Sequence, residues 1–124
     1  MFNNKVTIQN IRFIDSDKGT KAQIANSKTS RALLYVELKE NAKAGNHYHK
    51  TKEEILFIIS GKLTATFKDM LSQEIKEKTL KKGYLVTIKP GIAHSLHALQ
   101  NSKILDISNT DENSQDKFKE ELIS

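Results

Sequence analysis

Short hydrophobic runs separated by polar turns, rather than long amphipathic stretches, set the pattern of this chain. The clearest alternation is Lys62 to Phe67. There Leu63, Ala65 and Phe67 share one face and Lys62, Thr64 and Thr66 the other, the period of a half-buried strand. Ala32 to Leu38 and Glu54 to Ile59 are denser. Both predict strands, and Leu33-Leu34-Tyr35-Val36 predicts burial on both faces of the first. Val6, Ile8, Ile11 and Phe13 alternate loosely and predict one or two short strands within 6–14. Asp15 to Thr20 and Asp69-Met70 read as turns, and Asn41 to Asn46 as a loop carrying Gly45. Ser72 to Leu80 reads as a weak exposed strand, with a short helix the alternative. Gly83 opens a strand over Tyr84 to Ile88 that stops at Lys89-Pro90-Gly91. His94 to Leu99 and Lys103 to Ser108 follow, joined by a Gln100-Asn101-Ser102 turn. Asp116 to Ile123 predicts a terminal helix (about 115–123), with Ser114 as its N-cap and Phe118 and Leu122 on one face.

Many short strands with closely spaced turns predict an all-β sandwich or barrel. The 124 residues suit a single domain, 1–124, that buries a core without disulfides. Cysteine is absent, which excludes a disulfide framework, a cysteine nucleophile and thiolate metal ligands. The net charge is +5, almost all of it lysine spread along the chain, with Arg12 and Arg31 the two arginines. That distribution reads as a solvated surface and predicts no nucleic-acid partner. No segment approaches the roughly 20 apolar residues of a bilayer span. Met1-Phe2-Asn3-Asn4-Lys5 is not followed by the apolar run of a signal peptide. The expectation is a cytoplasmic protein with no membrane contact.

Chemistry concentrates between residues 47 and 97, which hold all four histidines. Residues two apart on a strand share a face, so His47 and His49 project together with Tyr48 turned away. Two imidazoles on one face are half of a divalent metal site. The Lys50-Thr51-Lys52 stretch lets the chain bend, so that Glu54 leads the next strand with its carboxylate returned to the same interior. Glu53 is the rival, but the strand onset favours Glu54. His94 suits a fourth ligand delivered by the Pro90-Gly91 turn. His97, three residues on, points to the opposite face and is read as a bystander.

The string His47-x-His49-x4-Glu54-x6-Gly61 matches the first motif of the cupin family residue for residue. Gly83 to His94 resembles the second, a glycine, a strand, then Pro-x-Gly-x-x-His. It departs in carrying Lys89 where a first proline is usual and in lacking an asparagine after the last histidine. The resemblance covers about 31–108. It implies a double-stranded β-helix, the cupin jelly-roll barrel, with His47, His49, Glu54 and His94 around a divalent ion. Zinc, iron, manganese, nickel and cobalt all accept such ligands.

One fold hosts many chemistries, and three classes compete. The string Gly45 to Lys52 resembles the cupin domains of capsule and lipopolysaccharide sugar-processing proteins, and the cupin ketoisomerases and epimerases of nucleotide-linked deoxysugars. That likeness implies proton transfer beside a carbonyl, with His47, His49 or Tyr48 as the proton carriers and Arg31, if it reaches the barrel mouth, pairing with an anionic substrate. In some of these relatives the paired histidines act as acid and base without a metal. A metal-dependent dioxygenase and a non-catalytic module for a small ligand are the alternatives. Single-domain cupins usually pair edge strands, which implies a homodimer that exchanges its N-terminal strand.

Overall fold

A computed structural model describes residues 10, 13–25, 32–109 and 115–123. Eleven strands pair antiparallel within two sheets: β1 Ile14–Ser16, β2 Gly19–Ala25, β3 Ala32–Leu38, β4 Lys43–Tyr48, β5 Glu54–Ser60, β6 Lys62–Asp69, β7 Ile75–Lys81, β8 Leu85–Ile88, β9 Ile92–Ala98, β10 Ser102–Ser108 and β11 Phe118–Lys119. One sheet runs β1-β2-β3-β10-β5-β8 and the other β11-β4-β9-β6-β7. This is the jelly-roll barrel expected from the cupin motifs. Most of the strand expected over 6–14, and Arg31, lie outside the described residues. Among the described residues no helix is long and apolar enough to cross a membrane.

The alternation seen in the sequence places the core. Leu63 and Ala65 of β6 point inward with Leu56 and Ile58 of β5, Leu96 and Ala98 of β9 and Ile104 of β10, closing one end of the barrel with aliphatic side chains. The inward face changes character towards the other end. There β5 begins with Glu54, β9 presents His94, and β10 presents Asp106 two residues beyond Ile104. Strand β3 is partly covered on both faces rather than sealed, and Leu33 to Glu37 are all half-buried. Its inner residues Leu34 and Val36 look into a cavity, and on its outer face Tyr35 meets the Phe13 ring edge-on at 6.0 Å.

Gly61 makes the tight β5–β6 connection at φ +96°. A Cβ there would sit 2.6 Å from the Asn101 carbonyl oxygen, so the position takes glycine.

Two expectations fail, each for a physical reason. Lys43 to Tyr48 is a strand where a loop was expected over Asn41 to Asn46, because its register against β9 shifts between Gly45 and His47. Asn46 stands at φ 61°, so a local reading takes a strand bulge for a turn. The terminal helix over 115–123 is absent. Those residues form an extended strap, with Phe118 paired to Tyr48 and Lys119 to His47. The strap's polar groups find better partners on the barrel than a short isolated helix would offer.

Candidate metal centre

The bulge at Gly45–Asn46 aims the first two imidazoles. Ala44 faces the barrel interior; without the extra residue Asn46 would follow it inward and His47 would point out. With it, His47 and His49 both line the cavity, their ring centroids 5.0 Å apart. His94 comes from β9, with its ring 4.7 Å from that of His47. Glu54 opens β5, and its Oε1 lies 3.1 Å from His49 Nε2 and 3.3 Å from His94 Nε2. One donor atom from each of the four residues lies within 4.8 Å of all the others. Bonds of about 2.0–2.2 Å from nitrogen and carboxylate oxygen to one ion require separations of this order. The donor set fits a divalent ion.

His49, Glu54 and His94 are buried, at 4%, 5% and 5% exposure, whereas His47 is half-buried at the mouth. Glu53 is ion-paired with Lys89 at 3.0 Å outside the cluster, whereas Glu54 is within it. His97 is also outside it, in register with Lys43 and Thr64. Tyr48 is not brought to the group. Its ring stacks on Phe118 at 5.5 Å, on the strap side of β4.

The charges are set by these surroundings. Burial raises the Glu54 carboxyl, but hydrogen bonds with His49, His94 and Asp106 outweigh it and hold the group well below the usual carboxylate range. Burial, reinforced by His94, His49 and Lys117, lowers His47 to about 4. His47 is therefore neutral at pH 7, the state needed for a metal ligand or a base. The sign follows from proton counting. Between about pH 6.5 and about 4 the unfolded chain binds a proton at this position and the folded chain does not. Chelator-treated protein is expected to lose stability as pH falls through that window. His47→Gln should flatten this part of the profile, as read by denaturant unfolding at stepped pH.

Several contributors were not anticipated. Asp106 and the buried Lys52 line the cavity with the four ligands. Asp106 was legible in principle, as an acid at the inward parity of β10. The strap was not. The Asp116 main-chain carbonyl accepts a hydrogen bond from His49 Nδ1, which orients the ring with Nε2 towards Glu54 and the cluster. The Asp116 carboxylate accepts from the backbone N–H of Lys50 (2.7 Å), Thr51 (2.8 Å) and Lys52 (2.8 Å), and from the Thr51 hydroxyl (2.6 Å). It is held below the usual carboxylate range, with modest burial outweighed by these bonds. Asn46 secures the far end of the strap through Leu122 N (2.9 Å) and the Ile123 carbonyl (2.9 Å).

Residues 14–119 match the family described as polysaccharide biosynthesis C-terminal domain. Among curated proteins no sequence matches. Among solved structures, the capsular polysaccharide assembling protein CapF from Staphylococcus aureus superposes with a TM-score of 0.79 at 24% identity, over 93% of this chain and 34% of that one. A structure of CapF with the inhibitor 3-isopropenyl-tropolone gives 0.83 at 22% identity, over 96% and 37%. Oxalate decarboxylase from Bacillus subtilis gives 0.76 at 20% identity, over 92% and 33%. The chain thus spans about a third of the length of these proteins, and the likeness is one of fold.

Proposed function

The chain belongs to the polysaccharide biosynthesis C-terminal domain family, and from that premise we propose that its barrel is a divalent-metal centre acting on a small carbonyl substrate. The substrate class is a nucleotide-linked keto sugar, and the reaction is proton transfer at the carbon beside the carbonyl, as in an isomerase or epimerase. One observation carries the reading: four converging donor atoms at the inner end of an open cavity of about 140 Å³.

His49, Glu54 and His94 would hold the ion, with His47 as the fourth donor at the mouth. When bound, the ion supplies a Lewis acid for the carbonyl oxygen. His47 faces the mouth, is neutral, and has no carboxylate hydrogen bond among the described contacts. With the ion on the other three residues, it would be the one placed to carry the substrate proton. Tyr48 receives no proton step in this scheme, because its ring lies against Phe118. A metal-free version is favoured by His47 alone: a neutral imidazole there accepts the proton, and His49, backed by Glu54, returns one. The expected assembly is a homodimer.

The tropolone inhibitor of CapF has adjacent oxygens able to chelate a metal, which makes the same compound a useful competitor here. The test is deuterium uptake from heavy water into a nucleotide-linked 4-keto sugar, followed by NMR. Uptake that depends on the full chain and is lost in His47→Gln is expected. Uptake equal to the protein-free rate would refute the proton-transfer reading.

A further inference from the structure

The inner cavity is small for a whole substrate of the proposed class. Its volume of about 140 Å³ lies below the roughly 300 Å³ at which ordinary small-molecule pockets begin. It continues into a second recess of about 250 Å³, and the two share Lys21, Gly45, His47 and Lys117 as walls. The outer recess adds Lys18, from the turn between β1 and β2. Its lysines come from opposite rims, Lys18 and Lys21 from the β1–β2 hairpin and Lys117 from the strap. All three are exposed. Glu37 is the one acidic residue in its wall, and its carboxylate already accepts the Tyr35 hydroxyl at 2.9 Å.

We propose that this outer recess is an anion subsite in which Lys18, Lys21 and Lys117 bind the phosphates of a nucleotide-linked substrate while the sugar enters the inner cavity. The assignment rests on the substrate class proposed above. Three separate point charges along a recess suit a multiply charged, extended anion better than a single carboxylate, and lysine binds phosphate as such a charge. His47 lies at the junction, so a ligand held by the lysines presents its next carbon atoms to the four-residue centre.

The subsite is tested on the metal-loaded full chain by titration calorimetry with adenosine diphosphate and with adenosine. The diphosphate is expected to bind at least about tenfold more tightly. Lys21→Gln/Lys117→Gln should abolish that preference while metal content stays unchanged. Equal binding of the two compounds, or a preference that survives in the double variant, overturns the proposal; the second result would place the phosphates on the ion instead. Deuterium uptake separates this proposal from the one it rests on. Uptake with the same KM in wild type and double variant removes the subsite and leaves the reaction. Lysine-dependent diphosphate binding without uptake into any keto sugar keeps the subsite and removes the reaction.

Discussion

Glu54→Gln is expected to lower divalent-metal affinity by more than about a hundredfold while the chain stays folded, as measured by competition with a chelating dye. Changes that only disturb the partners of a ligand already cost about ten- to a hundredfold, and this one removes the single anionic donor of the cluster. Glutamine keeps the volume and one oxygen to face His49 and His94, so the buried position is not emptied. The carboxylate is ionised here because its hydrogen bonds outweigh its burial, and an amide cannot supply that charge. Wild-type affinity in the variant would remove Glu54 from the ligand set.

Asp116→Ala should act from outside the cluster. It removes the acceptor for three backbone N–H groups and one hydroxyl that hold residues 50–52, the link between His49 and Glu54. Hydrogen bonds to a charged group contribute about 1.5–3 kcal/mol each when well shielded, and partial exposure here lowers the sum to about 2 kcal/mol. The measured consequences are a lower unfolding midpoint and a loss of about tenfold or more in metal affinity, since the strap also orients the His49 ring. The pH sign differs in its window from that of His47. The Asp116 carboxyl is lowered on folding, so its contribution is complete above about pH 4 and declines as pH falls further. An Asp116→Ala variant that unfolds and binds metal like the wild type would show the strap to be only a covering.

Part of the strand pattern was legible locally. Leu63, Ala65 and Phe67 carry their own alternation, because each side chain's surroundings repeat every second residue, and Ala32 to Leu38 shows as a strand by its dense apolar run. The ligand spacing was legible because His47, His49 and Glu54 lie within eight residues and a single bend joins them. Harder to see was how parity is set. His47 faces inward only because the Gly45–Asn46 bulge adds a residue, and a glycine followed by a left-handed asparagine looks like a turn. The terminal strap was misread as a helix because Phe118 and Leu122 are four apart, a weak local signal overridden by the pairing of Phe118 with Tyr48 and the hold of Asn46 on Leu122. β2 was not foreseen, since Ala22 among Lys21 and Gln23 gives little contrast. Lys117 and Asp116 reach the site through contacts 50 or more residues away, which no local pattern encodes.

The claim on which the rest depends is that His47, His49, Glu54 and His94 hold one divalent ion. Elemental analysis of the full chain, purified without an affinity tag and dialysed, addresses it most directly. The account predicts about one equivalent of a divalent transition metal per chain. Less than about a tenth of an equivalent, in protein that also fails to take up added zinc, manganese or cobalt, would contradict it.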